Sequence, residues 1–318
     1  MTSILTNTAA YAALATLRDI NSNLEDTQEQ ISSGYRIGQA ADNAAYWAIS
    51  ATMKSDKAAL DTVGDALGLA QATVDTAYSG FDQCRELLSQ IKTKLLAAQQ
   101  SGVDAGKVGK EITELKNQLI TVAQSAAFSG ENWLYNASTG AAGTKAMVGS
   151  FTRGADGTVS IQTISFNTGD SVLLDKNTAS RGLLTKGYSQ TVNGSATTFV
   201  LLNINSNNAV NGAVEITINS ATSVDTLKGM LSAVDTMFNT LVDVADTMGA
   251  VKARIDTQSA FVKNLGETLA KGIGKLVDAD MNEASTRLKA LQTQQQLGIQ
   301  SLSIANGSAQ NIMQLFRA

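Results

Sequence analysis

Apolar residues recur three and four positions apart through most of this chain, the spacing that lines one face of an α-helix. From Ala10 to Ile31 the positions Ala10, Ala13, Leu17, Ile20, Leu24, Thr27 and Ile31 form an unbroken heptad seam. At the other end Met281, Ala284, Leu288, Leu291, Gln295, Gly298, Leu302, Ala305, Ala309, Ile312 and Phe316 repeat the alternation, with Gln295 and Gly298 as weak layers. Between these ends, Leu87, Leu88, Ile91, Leu95 and Ala98 predict a helix within Tyr78 to Gln99. Ile112, Leu115, Leu119, Val122 and Ala126 predict another, after a glycine-containing break through Ser101 to Gly109. A third, long element is predicted by Leu227, Leu231, Val234, Phe238, Leu241, Ala245, Met248, Val251 and Ile255, and Val262, Leu265, Leu269 and Leu276 extend it.

The pattern changes between Asn136 and Ser223, where Gly, Ser, Thr and Asn dominate. Alternating runs at Val159 to Phe166, Thr197 to Asn205 and Ala213 to Asn219 predict strands, bounded by turn residues such as Asn193-Gly194 and Asn211-Gly212. The expected fold is mainly α: an elongated, discontinuous helical rod with terminal coiled-coil helices and a small β-rich inserted outer domain. Its expected domains are a terminal helical inner core from 1–45 and 275–318, a helical rod from 46–144 and 222–274, and a β-rich, solvent-exposed outer domain from 145–221.

Composition narrows the chemistry. The chain has 318 residues, 24 basic and 28 acidic side chains, no histidine, no proline and one cysteine, Cys84. Without histidine there is no Ser-His-Asp or Cys-His nucleophile system and no histidine metal ligand. A single cysteine forms neither an internal disulfide nor a thiolate zinc site, and Cys84 reads as a buried inert thiol. The net charge of −4 and the lack of a Lys/Arg run argue against nucleic acid as a partner. No run of about eighteen apolar residues exists for membrane insertion, and Met1 to Leu17 lacks the basic start of a signal peptide.

The local motifs do not add up to a catalytic, cofactor or metal site. Asp278, Asp280 and Asn282 match the opening of a calcium loop, but the sixth position is Glu283 instead of glycine and the twelfth is Lys289 instead of glutamate. A helix N-cap is the better reading of these aspartates. Lys271-Gly272-Ile273-Gly274-Lys275 and Gly106-Lys107 lack the upstream glycine and the following Ser or Thr of a phosphate loop. Asn136-Ala137-Ser138 and Asn193-Gly194-Ser195 fit glycosylation sequons but read as turns.

What remains is assembly. Charged residues make up only 16% of the chain. A subunit packed on many sides against identical neighbours must keep charge low, because burying an unpaired charge is costly. The terminal seams, rich in Ala, Thr, Gln and Gly, bury little apolar area on their own. Their flanks carry Asn21, Asn23, Gln292, Gln294, Gln296 and Gln300, which tolerate burial against copies of themselves. Both ends are therefore expected to be mobile in the monomer and to become helical on assembly. An ordinary globular bundle is the alternative reading of the same periodicity.

The stretch Ile31-Ser32-Ser33-Gly34-Tyr35-Arg36-Ile37-Gly38-Gln39-Ala40-Ala41-Asp42-Asn43-Ala44-Ala45-Tyr46-Trp47-Ala48-Ile49 resembles the N-terminal signature of bacterial flagellins, L-S-S-G-x-R-I-N-x-A-x-D-D-A-A-G-x-A-I. Leu302-Ser303-Ile304-Ala305-Asn306, with Gln310, Leu315, Phe316 and Arg317, is similar to that family's C-terminus, and Asp278-Ala279-Asp280 to its D-A-D turn. Gly38, Asn43 and Tyr46 depart from the signature, and in these departures the chain resembles flagellins of α-proteobacterial type, some of which build multi-flagellin complex filaments.

The resemblance implies a structural subunit that self-polymerises into a flagellar filament for swimming motility. It also implies export without a cleaved signal peptide through the flagellar type III apparatus, the N-terminal region serving as signal. The implied location is the extracellular filament, and the implied partners are copies of the chain, co-assembling flagellins, an export chaperone, the filament cap and hook-junction proteins. Leu17, Ile20, Leu24, Ile31, Leu288, Leu291, Leu302, Ile312 and Phe316 would carry polymerisation, and Arg36, Ile37, Asp42, Asn43, Arg85, Glu86 and Leu87 the rod and interdomain motifs. The family pattern Q-R-x-R-E-L reads Asp82-Gln83-Cys84-Arg85-Glu86-Leu87, so Gln83 stands where the family's first arginine meets a vertebrate innate receptor. The alternatives are a hook-filament junction protein, another type III-exported coiled-coil protein, or a membrane-active protein.

Overall fold

The computed structural model describes residues 7–154, 156–204 and 210–315, without the side chains of 308–315. It is mostly helical: α1 (Thr8–Ser33), α2 (Ala44–Ala98), α3 (Ala105–Ser125), α4 (Val224–Val277) and α5 (Met281–Leu315). Short strands lie between α3 and α4: β1 (Ala127–Phe128), β2 (Glu131–Asn132), β3 (Tyr135–Asn136), β4 (Thr144–Arg153), β5 (Val159–Asn167), β6 (Leu174–Asp175), β7 (Tyr188–Val192), β8 (Ser195–Val200) and β9 (Val214–Glu215). The chain divides into two compact units, one holding both ends through Ala58 and from Leu265 onward, the other Ala59–Asn264.

The second unit is organised by a seam longer than the sequence pattern suggested. Leu60, Val63, Leu67, Ala70, Val74, Ala77, Phe81, Cys84, Leu88, Ile91, Leu95 and Ala98 alternate by three and four along α2, and all are buried. The helix therefore begins far upstream of Tyr78. Its first half uses alanine at Ala70 and Ala77 and shows an exposed Leu69, which weakens the contrast between faces. Gln71 Nε2 donates to Asp256 Oδ1 at 2.7 Å, and Lys252 pairs with Asp75 and Lys92 with Asp235. These pairings run α2 antiparallel to α4. Lys94 with Glu111 at 2.6 Å, and Cys84 Sγ near the Leu119 carbonyl, set α3 antiparallel to α2 as well.

Along α4 the buried stripe is Leu227, Met230, Val234, Met237, Leu241, Met248, Ile255 and Val262. The predicted Leu231 and Phe238 are half-buried at its edge, because the methionines occupy the centre of the stripe. The α3 stripe contains a surprise, Lys116, which is buried and pairs with Glu215 while donating to the Ile216 carbonyl at 3.2 Å.

In the strand-rich insert, β4 and β5 form an antiparallel hairpin whose register shifts at Gly149, between Val148 and Ser150. The strand at β4 lacks a clean alternation and was not expected from the sequence. β7 and β8 form a second hairpin around Asn193-Gly194, whose φ values of 50° and 79° are the paired positive angles of a type I′ turn. β9 pairs parallel with β8 over only two residues, although Ile216 and Ile218 beyond it are buried. Trp133 stacks on Phe166 with ring centroids 5.2 Å apart, and Leu134, Leu173, Leu174, Leu184 and Phe199 are fully buried. Asn136 is itself buried, donates to Asp175 Oδ2 at 2.8 Å, and accepts from the Ser138 amide at 3.0 Å as an Asx turn.

Candidate functional site

Two helices joined along one stripe make up the candidate assembly surface. Asn7 caps α1 by accepting from the Ala10 amide at 3.0 Å, and the same side chain donates to the Ala305 carbonyl at 2.9 Å. Gln295 Nε2 donates to Asn21 Oδ1 at 2.7 Å, and a Cβ built on Gly298 would lie 2.8 Å from Leu17 Cδ1. Residues 7, 17 and 21 thus meet 305, 298 and 295, so α1 and α5 run antiparallel. Gly298, a weak layer in the sequence pattern, is the gap into which Leu17 fits.

The pairing gives each seam one wall and no more. On α1 Leu17, Ile20, Leu24 and Ile31 are half-buried and Thr27 is buried. On α5 Leu288 and Leu302 are half-buried, Ala284 and Leu291 are buried, and Met281 is exposed. Ile312 lies on the α5 backbone with its side chain outside the description, and Phe316 lies outside the described residues. Thr8–Ser33 and Met281–Leu315 are helical in the single chain, whereas the sequence reading has both ends mobile in the monomer and helical only on assembly. Their mutual stripe is enough to define helices and leaves apolar residues on the other faces: Tyr11 is 67% exposed, Leu297 58% and Ile304 73%. No charged residue occurs from Met1 to Leu17 or from Ala290 to Phe316. Charge-free helical stretches with exposed large apolar side chains are the surface expected of a subunit that finishes its core against others.

Below this pair the two connections are tied to each other. The Arg36 and Ile37 amides donate to the Val277 carbonyl at 2.7 and 3.2 Å, the Ala279 amide donates to the Gly34 carbonyl at 2.9 Å, and Tyr35 bridges to Asp278. Gly34 adopts a φ of 75°, the left-handed cap that ends α1. Arg36 Nη2 donates to the Leu276 carbonyl at 2.9 Å, and Ile37 packs with Ile273 and Val277. Asp42 Oδ2 accepts from the amides of Gly38 and Gln39 at 2.8 and 3.0 Å, closing the turn before α2. Asn43 caps α2 by accepting from the Tyr46 amide at 3.1 Å. Asp280 caps α5 by accepting from the Asn282 amide at 2.9 Å, whereas Asp278 lies just past α4 and takes no part in that cap.

On α2, Arg85 donates to Asp82 Oδ1 at 2.6 Å, which raises the guanidinium pKa further, and Glu86 and Gln83 are exposed. Leu87 is buried. Cys84 lies in the seam, and burial pushes its thiol up to about 12, so it stays protonated at neutral pH. Among the described residues no group of three or more His, Cys, Asp or Glu side chains could hold a metal ion, and no helix is long and apolar enough to cross a membrane. Asn7 and Asn21 were missed as contacts between the ends; the cap at Asn7, an asparagine ahead of an alanine-rich run, was the available signal.

Comparison with known proteins agrees with this geometry. The chain matches the bacterial flagellin N-terminal helical region over residues 4–139 and the bacterial flagellin C-terminal helical region over residues 231–316. It is 55% identical to Flagellin C and 39% identical to Flagellin A of Rhizobium meliloti (strain 1021), and 38% identical to a flagellin of Brucella melitensis biotype 1, each match spanning 100% of both chains. With both helical regions matched and whole-length relatives of this identity, the chain belongs to the bacterial flagellin family.

Proposed function

We propose that this chain is the structural subunit of a flagellar filament and that copies of it polymerise through the terminal helices to drive swimming motility. The observation that carries this reading is the α1/α5 pair, which shares a single stripe and, along the charge-free stretches up to Leu17 and from Ala290, leaves Tyr11, Leu297 and Ile304 exposed. Apolar area of this kind stabilises association when it is removed from water. In this reading residues 1–45 and 275–318 form the inner core, 46–144 and 222–274 the rod, and 145–221 the outer, solvent-facing domain. Leu17, Ile20, Leu24, Ile31, Leu288, Leu291, Leu302, Ile312 and Phe316 line the polymerisation core. Arg36 and Ile37 tie the two connections together, and Asp42 and Asn43 close the turn and cap the start of α2 beside them.

The subunit is exported by the flagellar type III apparatus with an N-terminal signal, escorted by a chaperone and placed under a cap protein. The family and the charge-free run from Met1 to Leu17 support that reading. Electron microscopy of purified protein tests it: the full chain forms long fibres, and a chain lacking Met1 to Ile31 forms none. Unimpaired fibres from the truncated chain would overturn the role of the ends. Gln83, exposed where the family pattern has its first arginine, leaves the innate-receptor surface with only the second, Arg85, so monomer gives weak or no signal in a receptor reporter-cell assay.

A further inference from the structure

The opening of α2 has the same character as the terminal helices but belongs to neither of them. Residues 44–53 carry no charged side chain, and Ala44 through Ile49 are all exposed. Tyr46, Trp47 and Ile49 leave 45%, 41% and 49% of their surfaces accessible. Large apolar side chains grouped on a surface helix without intervening charge mark an interaction site more often than scattered ones do. The periodicity gives the reason. The stripe of α2 that carries Met53 onto the Ile37, Ile273 and Val277 cluster passes back one turn to Ser50, which is buried, and then to Tyr46, where it emerges into solvent. Tyr46 is on the packed face of its helix and still lacks cover.

The neighbouring charges are turned to other tasks. Asp42 accepts two main-chain amides and Arg36 donates to the Leu276 carbonyl. Lys54 lies with its ammonium 4.9 Å from the centre of the Tyr35 ring, a cation–π contact. What remains around Tyr46 and Trp47 is apolar and unsigned, so it selects a partner that is itself apolar and uncharged. The same compact unit holds such a surface, the exposed Tyr11, Leu297 and Ile304 of the α1/α5 pair.

We propose that Tyr46, Trp47 and Ile49 form a contact between copies of this chain, seated against the charge-free stretches of a neighbour's terminal helices that expose Tyr11, Leu297 and Ile304. The inference rests on the filament-subunit reading and adds to it a second, aromatic contact outside the terminal helices. Trp47 is the anchor, since a half-exposed tryptophan at a helix start loses the most apolar surface when covered.

The chain's two tryptophans make this measurable, because Trp133 is 3% exposed and stacked on Phe166 while Trp47 is open. Acrylamide quenching of full-length protein and of W47F is compared for monomer and for sedimented fibres. The emission component missing in W47F is expected to shift to the blue and to become several-fold less quenchable in fibres. A Tyr46→Ala, Trp47→Ala double variant should keep the monomer's circular dichroism and raise the critical concentration for polymerisation about tenfold or more. Fibres in which Trp47 stays as quenchable as in monomer would overturn the contact while leaving the filament reading intact. So would a folded double variant that polymerises at the wild-type concentration, or a blue shift produced by lipid vesicles and not by fibres. If the double variant fails to fold, the quenching comparison decides alone. Failure of the wild-type chain to form fibres would remove both readings together.

Discussion

Cys84 shows what a buried position does to an otherwise reactive group. Its thiol lies inside the α2 seam, and burial raises its pKa from an ordinary 9.0 to about 12. Tyr188 behaves alike, raised from 10.0 to about 12 by burial, with its hydroxyl donating to the Leu183 carbonyl at 2.8 Å. Both groups are neutral when folded, so between their unfolded and folded values the unfolded chain holds fewer protons and stability falls as pH rises. Urea titrations of full-length protein are expected to show this loss between about pH 9 and 12, and Cys84→Ala to flatten its lower part. At pH 8 the native thiol should resist maleimide and react only after denaturation. Gly109 makes a second residue-scale case. A Cβ there would run into the Ile218 main-chain carbonyl, which no rotamer change can move aside. Gly109→Ala gains about 1 kcal/mol of helix propensity but loses about 3 to overpacking, a net destabilisation of about 2 kcal/mol readable by thermal unfolding.

The helices were legible in the sequence to different degrees, and burial explains the order. α1 and α5 were read residue by residue, because a helix pair with one shared stripe writes that stripe as a plain heptad: Leu17, Ile20, Leu24, Leu288 and Leu291 are all buried or half-buried as spaced. α2 was read only from Tyr78, since alanines in its first-half seam and an exposed Leu69 blur the two faces. Strands were harder still. The Asn193-Gly194 turn was evident because only certain residues accept positive φ at both positions, whereas β9 ends after two residues while its apolar alternation continues to Ile218. The Lys116–Glu215 pair had no sequence signal, since contacts across distant segments depend on the fold itself. At this scale a cap offers a direct test. Asp280→Ala removes the acceptor for the Asn282 amide and should cost about 1 kcal/mol, with fraying at the start of α5 detectable by hydrogen exchange at Met281 to Ala284.

For the whole molecule, the contrast is between a unit with a long continuous interior and a terminal helix pair with a sparse one. Leu67, Phe81, Leu88, Ile91, Leu95, Leu119 and Leu241 are all fully buried in the second unit, while α1 buries only Thr27. Opening free energies should follow that contrast. Hydrogen exchange on monomer is expected to show fast-exchanging α1 and α5 against slow central α2, and in fibres the ends should become as slow as the seam. Equal protection of α1 and α2 in dilute monomer would contradict an incomplete end unit. The junction residues were found through motif resemblance, and their roles became clear only from bonds between segments far apart in sequence, such as Arg36 with Leu276.

The antiparallel meeting of Leu17 with Gly298 and of Asn7 with Ala305 has one more consequence. A polypeptide cut short before Gln295 loses the partners of Asn21, Leu17 and Asn7 on α1 together, however perfect the rest of it is. Faulty translation products would then be turned away from a growing fibre by simple lack of grip, and length would be inspected without any inspector.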